Sequence, residues 1–187
     1  IQADVAIVGG GMVGISLAAA LARGGLDIVV IEQKEPTPFD SVQPYDLRVS
    51  AVSPASQGFL DAIGAWLRLT EMRLCPYRRM RVWDKFGDGS ILFNAADIGE
   101  PVLGYIAENR LIQRAIWDVV EQSDNIRILL GARPVSMSVN EISAELELEN
   151  GQSVTAGLIV GADGARSWVR QQARIGETSW DYDQHAL

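Results

Sequence analysis

The sequence predicts an α/β fold in which a mostly parallel sheet carries two glycine-marked turns from strand to helix. The first turn lies within residues 5–14 and the second within residues 158–167. A third observation is a run of short alternating segments before the second turn, where a regular α/β protein would place a crossover helix. Because ligands bind beyond the carboxyl ends of parallel strands, both turns are expected to face one long ligand.

The first turn follows an apolar strand at 4–8, and Gly9, Gly11 and Gly14 give it the pattern G-x-G-x-x-G. Gly9 permits a tight turn out of the strand. Gly11 lets a pyrophosphate approach the backbone, and Gly14 lets the following helix lie close to the sheet. The turn therefore predicts a dinucleotide-binding site.

The helix after this turn is expected at roughly 12–23. Its first residues, Met12 and Val13, direct free N–H groups and the positive end of the helix toward the phosphates. The stretch 5–22 is almost uncharged, but four glycines interrupt it and Asp4 precedes it. Glycine interruptions and an acidic flank disfavour a membrane span at this place.

A second apolar strand at 28–31 ends at Glu32, which lies 23 residues after Gly9. A carboxylate at this distance can accept hydrogen bonds from the ribose hydroxyls of an adenosine. It would repel a 2′-phosphate, which disfavours NADP in this site. Gln33 follows directly and is included in the predicted site. The alternative for Glu32 is a solvated charge at the end of a strand.

Composition limits the classes of function. The chain of 187 residues has 48% apolar residues, and 16 basic against 24 acidic residues give a net charge of −8. This charge argues against nucleic acid as the main partner. The only cysteine, Cys75, excludes an internal disulfide, and the only histidine, His185, offers no histidine cluster for a metal or a hydrolase triad. No metal site is predicted.

The remaining segments predict a mixture of helices and antiparallel strands. A long loop is expected at 34–47, followed by a helix that Ser53 caps and that buries one apolar face. The apolar face consists of Phe59, Leu60, Ile63, Trp66 and Leu67. Further elements are a hairpin at 80–84 and 90–93, a strand near 102–107, a helix from Asn109 to about 122, a strand at 126–130, a meander at 133–139, 143–149 and 152–156, and a buried strand at 158–162.

The second turn contains Asp163 and Gly164 and continues to Arg170. Its sequence, GADGARSWVR, resembles the "DG" motif of the FAD-dependent aromatic hydroxylases, the class A flavoprotein monooxygenases. The resemblance implies that Asp163 lies near the ribose and pyrophosphate of FAD, that Gly164 lets the backbone approach, and that Arg170 holds the loop. The alternative is that Asp163 only caps the helix expected to begin at Ala165.

Three further segments resemble these hydroxylases, and two of them resemble the ubiquinone-biosynthesis branch. In the segment 47–51, Arg48 matches an arginine that contacts the flavin. The pair Glu108-Asn109 matches the "EN" pair of this branch, in which the second residue approaches the cofactor. The segment 75–80 is most similar to the benzoquinol hydroxylases of the branch. The resemblance covers essentially the whole chain.

The resemblance implies an FAD-binding fold of the glutathione-reductase type, with a meander crossover and an inserted, incomplete antiparallel sheet of a substrate domain. It places the FAD-binding domain at 1–72 and 108–176. The inserted strands are placed at 73–107, and a further substrate-domain strand is expected to start in 177–187. The third motif of the family, Gly-Asp-Ala-Ala-His, is not found in the sequence. The chain is therefore expected to be an N-terminal piece of a longer protein.

The activity implied by the resemblance is hydroxylation of the ring of a polyprenyl benzoquinol or phenol in ubiquinone biosynthesis. It would use FAD, NAD(P)H and O2 through a flavin C4a-hydroperoxide. Because the cofactor supplies the chemistry, no catalytic acid or base is assigned. A cytoplasmic location is implied, with peripheral contact at the bacterial inner membrane or with a ubiquinone-biosynthesis complex. The alternatives are a flavin reductase of the same fold, or a folded piece without bound cofactor.

Overall fold

A computed structural model describes residues 1–85 and 87–183 of the chain. In chain order, the elements of these residues are β1 (Gln2–Val8), α1 (Met12–Ala22), β2 (Ile28–Glu32), β3 (Val49–Val52), α2 (Pro54–Ala62), α3 (Trp66–Thr70), β4 (Cys75–Tyr77), β5 (Arg79–Trp83), β6 (Ser90–Asn94), a 3₁₀ helix (Ala95–Ile98), β7 (Gly104–Glu108), α4 (Asn109–Val120), β8 (Ile126–Leu130), β9 (Pro134–Val139), β10 (Ala144–Leu148), β11 (Ser153–Gly161) and α5 (Trp168–Gln172).

The largest sheet has six strands in the order β8-β2-β1-β11-β10-β9. The first four of these run parallel, whereas β10 and β9 are antiparallel to their neighbours and form the predicted meander. Val8 of β1 lies in register with Ile31 of β2 and with Gly161 of β11. These three strands therefore end together, which brings both glycine turns to one edge of the sheet. The predicted α/β fold class is confirmed.

Both faces of the central strands are buried, which explains their uninterrupted apolar runs. On one face, Ile7 and Val30 pack with α1 and α4, and Trp117 of α4 lies almost completely within this core. On the opposite face, Val29 packs in a second cluster that includes Leu146 of the meander. Successive residues of each strand thus pack alternately into the two clusters on opposite faces of the sheet.

The region between α3 and α4 forms two smaller antiparallel sheets, one of them together with β3. In one sheet β7 lies between β3 and β4, and in the other β5 pairs with β6 as the predicted hairpin. Met80 lies opposite Phe93 and Val82 opposite Ile91, so these four apolar side chains share one face. They are 44–59% exposed. The hairpin therefore extends from the rest of the described chain with both faces accessible.

The predicted helix after Ser53 is divided in two, which corrects the sequence interpretation. Ser53 caps α2 as expected, but Gly64 has a φ of 84° and the chain restarts as α3 at Trp66. A residue in the left-handed region ends a right-handed helix. Trp66 packs against the main core, whereas Phe59 and Leu67 are exposed. The expectation of core packing was therefore right for Trp66 and wrong for Phe59.

The last strand also differs from the prediction. The segments expected at 152–156 and 158–162 form the single strand β11, and Leu158 is 55% exposed instead of buried. The pairing explains the exposure, because β10 accompanies β11 only as far as Ala156. Beyond that residue, β1 alone continues to pair with β11.

Residues 177–183 contain no strand, and the remainder of the predicted strand segment, 184–187 with His185, lies outside the described residues. The predicted domain boundaries therefore stay a prediction. Within residues 1–85 and 87–183, no helix combines the length and the apolar character needed to cross a bilayer.

Candidate cofactor site

The first turn is closed by backbone contacts that leave no room for side chains at two of its glycines. Gly9 has a φ of 107°, and a Cβ atom there would collide with the carbonyl oxygen of Ala162. A Cβ atom at Gly14 would collide with the carbonyl oxygen of Gly9. Both glycines are therefore needed for the turn itself, whether or not a ligand is bound.

Gly11 is different, because the space where its Cβ would lie is open to a distance of 4 Å. Gly11 is also the N-cap of α1, and no side chain caps this end of the helix. The carbonyl oxygen of Gly11 accepts from the N–H of Ile15 at 3.1 Å, so the N–H groups of Met12 and Val13 lie ahead of the first intrahelical bond. An open surface with free N–H groups at a helix N-terminus fits a pyrophosphate.

Glu32 is held at the end of β2 by three backbone N–H groups. Its carboxylate accepts from Gly10 at 2.5 Å, from Gln33 at 2.7 Å and from Lys34 at 3.0 Å. It is half-buried, so it is not the freely solvated charge of the alternative interpretation. A carboxylate offers about four acceptor positions, which leaves capacity for a hydroxyl group. The position of Glu32 therefore fits a ribose, while the side chain of Gln33 is exposed beside it.

Two residues of this turn were missed by the sequence analysis. A Cβ atom at Gly10 would lie 2.8 Å from the ring of Trp117 and 2.9 Å from Cγ of Glu32, so glycine is required there as well. The side-chain amide of Gln113 donates to the carbonyl oxygen of Gly10 at 3.0 Å. Gln113 follows Asn109 by four positions on α4, and this spacing, which places both on one helix face, was the available signal.

The second turn is organised around Asp163. Its carboxylate accepts from Ser167 Oγ at 2.6 Å and from the backbone N–H groups of Trp168 and Val169 at 2.6 and 3.1 Å. Asp163 therefore binds the first two N–H groups of α5, beside the N-cap residue Ser167, which accepts from the N–H of Arg170 at 3.0 Å. The helix begins at Trp168 and not at Ala165 as expected. The following Gly164 has a φ of 87° and open space around it, which leaves the backbone accessible at this point.

The two turns touch each other at the edge of the sheet. The N–H of Ala162 donates to the carbonyl oxygen of Val8 at 2.8 Å, and Ala162 fills the space beside Gly9. Because the N–H of Gly10 also donates to the carboxylate of Glu32, Glu32, the first turn and the second turn lie side by side at this edge of the sheet. The shared edge is the arrangement that the two motifs predict for one extended ligand.

Arg48 and Asn109 are brought together although they lie far apart in the sequence. The N–H of Asn109 donates to the carbonyl oxygen of Arg48 at 2.9 Å, and Ser50 Oγ donates to Asn109 Oδ1 at 2.6 Å. The side chain of Arg48 is exposed. Arg48, Ser50 and Asn109 thus form one cluster where β3 meets the start of α4.

Arg170 contacts the second turn as the resemblance implies. Its Nη1 donates to the carbonyl oxygen of Ala165 at 3.1 Å, and its Nη2 forms an ion pair with Glu177 at 2.6 Å. The guanidinium group therefore ties the loop after Gly164 to the segment that follows α5. Whether this loop contacts a cofactor stays a prediction.

A cleft of about 430 Å³ lies between the start of α1 and Ser50 of the cluster where β3 meets α4, and its lining includes neither Arg48 nor Asn109. Met12 and Ser16 of α1 line one side, and Ser50 of β3 lines the other together with residues of α2. A separate groove of about 330 Å³ lies between β11 and α5 and reaches Arg170. The first cleft begins at Met12, the first residue of α1, whereas the lining of the second groove includes no residue of α1.

The residues present thus fit FAD, with a phosphate position at Gly11, a ribose position at Glu32 and a cleft of ring size beyond Met12. Comparison with known proteins agrees with this geometry. The 3-demethoxyubiquinol 3-hydroxylase of Escherichia coli is 40% identical over 98% of this chain. The ubiquinone hydroxylase UbiL of Rhodospirillum rubrum is 39% identical over 99% of this chain. The chain spans 47% and 42% of the length of these two curated relatives.

Among solved structures, PqsL from Pseudomonas aeruginosa superposes with a TM-score of 0.76 at 21% identity. The superposition covers 96% of this chain and 47% of PqsL, and it shows that the fold is shared. A family model described as "FAD binding domain" matches residues 2–185. The chain therefore belongs to this FAD binding domain family.

Proposed function

We propose that the chain binds FAD and belongs to an FAD-dependent monooxygenase that hydroxylates the ring of a polyprenyl benzoquinol or phenol. The observation that carries this proposal is that Glu32, the first turn and the turn of Asp163 lie in contact along one edge of the sheet. The relatives named above add the substrate class, because the printed names of both are ubiquinol or ubiquinone hydroxylases. For the domains we propose the boundaries predicted from the sequence, with an FAD-binding domain at 1–72 and 108–176, inserted strands at 73–107 and a further substrate-domain strand that would start in 177–187.

In the proposed complex, each turn binds a different part of the cofactor. The N–H groups of Met12 and Val13 bind the pyrophosphate, Glu32 binds the adenosine ribose, and Asp163 lies near the ribose and pyrophosphate. Arg48 and Asn109 orient the flavin ring. FAD supplies the redox and oxygen chemistry that side chains lack.

The overall reaction proposed is that a quinol, O2, NAD(P)H and a proton give the ring-hydroxylated quinol, water and NAD(P)+. One oxygen atom enters a ring C–H bond, and the other leaves as water with the two electrons of the nicotinamide. The protein binds and orients the reactants and excludes water. We assign no catalytic acid or base. Apolar side chains of the hairpin, including Trp83, Ile91 and Phe93, are exposed and suited to an isoprenoid tail.

The specific member that we propose is a 2-octaprenyl-3-methyl-6-methoxy-1,4-benzoquinol hydroxylase. The segment 75–80 and the relative in Escherichia coli support this choice. Such a substrate resides in a membrane, so we propose a cytoplasmic protein with peripheral contact at the inner membrane or with a ubiquinone-biosynthesis complex. A flavin reductase of the same fold is the second candidate, because the two turns would serve it equally well.

FAD binding is tested on the chain itself. The purified protein is titrated with FAD, and the quenching of flavin fluorescence and the visible absorbance spectrum are recorded. Saturable binding of one FAD per chain, weakened in Gly11→Ala, is the expected result. A spectrum of bound flavin that Gly11→Ala and Asp163→Asn both leave unchanged would contradict the proposed site.

The activity is tested with the product of the full gene that encodes this chain, expressed in Escherichia coli lacking 3-demethoxyubiquinol 3-hydroxylase. We expect ubiquinone to be restored and a demethoxylated quinol analogue to gain one oxygen atom, measured by mass spectrometry. NADPH consumption that yields only hydrogen peroxide, with no hydroxylated analogue, would contradict the hydroxylase and favour the second candidate.

A further inference from the structure

Glu108 is a buried carboxylate that the proposed function does not use. It is 3% exposed and lies at the N-cap of α4, directly before Asn109. Its carboxylate accepts from the N–H of Asp46 at 2.7 Å, from Arg110 Nε at 2.9 Å and from Arg73 Nη1 at 3.4 Å. Burying a carboxylate without partners would cost free energy of folding, and here three donors compensate the charge. Such an arrangement suggests that the carboxylate has a structural role.

The charge state of Glu108 follows from these contacts. Burial by itself raises the pKa of Glu108, but the hydrogen bond from Asp46 and the two arginines outweigh burial and hold the pKa below its ordinary value. The group is therefore a carboxylate at neutral pH. Its neighbours are arranged for the anion and not for the protonated acid.

The two arginines extend the contacts of Glu108 to the loop before β3. Arg73 Nη2 donates to the carbonyl oxygens of Ser41 at 2.8 Å and Gln43 at 2.5 Å. Arg110 Nη2 donates to the carbonyl oxygen of Pro44. This loop lies outside the helices and strands, and the guanidinium groups supply hydrogen bonds to its carbonyl groups at Ser41, Gln43 and Pro44.

Aromatic contacts strengthen the same attachment. The guanidinium carbon of Arg73 lies 4.6 Å from the ring centre of Tyr45 and 5.6 Å from that of Phe39. A cation over an aromatic face at these distances is attracted by the ring. Glu108, Arg73 and Arg110 together therefore hold residues 39–46 against the start of α4.

The loop leads directly to the residues assigned to the flavin ring. The N–H of Arg48 donates to Asp46 Oδ1 at 3.1 Å, while the carbonyl oxygen of Arg48 accepts from Asn109. Asp46 is bound to Glu108, and Asn109 is its neighbour in sequence. The backbone of Arg48 is thus held on both sides by residues that depend on Glu108.

We propose that Glu108 is a positioning residue that holds the loop 39–48 through Arg73 and Arg110, so that Arg48 and Asn109 face the cofactor. The proposal rests on the proposed function, because Arg48 and Asn109 are assigned to the flavin ring only there. It requires the negative charge, because one amide oxygen cannot accept from two guanidinium groups and a backbone N–H in the same geometry.

The test compares Glu108→Gln with Asp118→Asn as a matched control. Asp118 accepts from Arg114 Nε at 2.6 Å on the same helix, and Glu121 remains a partner of Arg114 in the control. Hydrogen exchange of the backbone amides in 39–48 is measured by mass spectrometry, together with FAD affinity and the thermal midpoint. We expect Glu108→Gln to accelerate exchange in this loop and to weaken FAD binding, each by about tenfold, with Asp118→Asn changing neither.

A second variant covers the case in which Glu108→Gln does not fold. Arg73→Lys keeps a positive charge beside Glu108 but loses the guanidinium group that donates to the carbonyl oxygens of Ser41 and Gln43. Faster exchange in the loop is therefore expected even though Arg110 still pairs with Glu108. In addition, Glu108→Asp retains the charge and should recover part of the FAD affinity. Partial recovery separates positioning from a loss of general stability.

Two outcomes overturn the proposal. Exchange and FAD affinity that remain within about twofold of the parent chain in Glu108→Gln would show that the loop does not depend on this charge. Equal effects in Asp118→Asn would show a general response of α4. If the parent chain binds no FAD, the proposed function fails, and so does the claim that Glu108 orients residues toward the cofactor. If the parent chain binds FAD but Glu108→Gln leaves loop exchange unchanged, only the positioning role of Glu108 is refuted.

Discussion

At the scale of single residues, the first turn separates glycines required by the fold from a glycine required by a ligand. Gly14 faces the backbone of the turn, so a side chain there meets protein atoms. Gly11 faces open space, so a side chain there meets only what binds to the turn. The G-x-G-x-x-G pattern alone does not distinguish these two requirements.

The first prediction is that Gly14→Ala lowers the free energy of unfolding by about 1–3 kcal/mol, because its methyl group has no space beside the backbone of Gly9. Gly11→Ala is the matched control. Its methyl group meets no protein atom, so only the smaller loss of exchanging glycine for alanine at the N-cap of α1, below about 1 kcal/mol, is expected while FAD affinity falls. Chemical denaturation and FAD titration of both variants check this. Loss of stability in Gly11→Ala equal to that in Gly14→Ala would contradict the distinction.

The second prediction concerns Asp163, whose carboxylate binds the start of α5 and is also assigned to the cofactor. Asp163→Ala removes the hydrogen bonds to the N–H groups of Trp168 and Val169, while Ser167 remains the N-cap, and should lower the free energy of unfolding by about 1 kcal/mol. Asp163→Asn keeps an acceptor for these N–H groups, so stability should be largely retained. A decrease of FAD affinity in Asp163→Asn without loss of stability would support the assignment to the cofactor. Unchanged affinity in that variant would leave Asp163 with only its role at the start of α5.

At the scale of elements, the helices α2 and α3 show how one residue redirects a segment. The apolar pattern from Phe59 to Leu67 continues through Gly64, but the backbone does not continue as a helix. Gly64 adopts a positive φ, and α3 then places Trp66 5.0 Å from Tyr105 of β7, measured between ring centres. The break thereby connects α3 to the sheet that carries the start of α4.

The third prediction uses two glycines of this region with opposite expectations. Gly64→Ala must place a side chain at positive φ and should lower the free energy of unfolding by about 1–2 kcal/mol. Gly58 lies in the interior of α2 with open space around it. Gly58→Ala should therefore raise the free energy of unfolding by about 1 kcal/mol, because alanine favours a helix. Urea denaturation measures both, and a stabilising Gly64→Ala would contradict the observed break.

At the scale of the whole molecule, long-range contacts of charged side chains connect the parts of the chain. Glu108 joins the loop 39–46 to α4, and Arg114, which is buried, joins α4 to Glu35 beyond β2. The pKa of Arg114 is raised because Asp118 and Glu121 outweigh the effect of its burial, which by itself would lower it. Both clusters bury charged groups that are hydrated by water in the unfolded chain.

The fourth prediction follows from the pKa of Glu108, which is lower in the folded state than its ordinary value of 4.5. A lowered pKa stabilises the fold above the ordinary value, and this contribution is lost as the pH falls through the folded-state pKa. Glu108→Gln lacks the titrating group, so its thermal midpoint should depend less on pH below about 4.5. Midpoints from circular dichroism across the acid range check this. Parallel curves for both proteins would contradict it.

The sequence by itself determined the fold class, the two turns and the meander, because these depend on glycine spacing and on apolar periodicity between near neighbours. Only the tertiary structure decided that Gly10 and Gln113 complete the first turn, that β11 is one strand, and that Glu108 holds a loop 62 residues away. The physical reason is that a buried charge or a close backbone contact selects its partner by position in space. Sequence periodicity carries no information about such a partner.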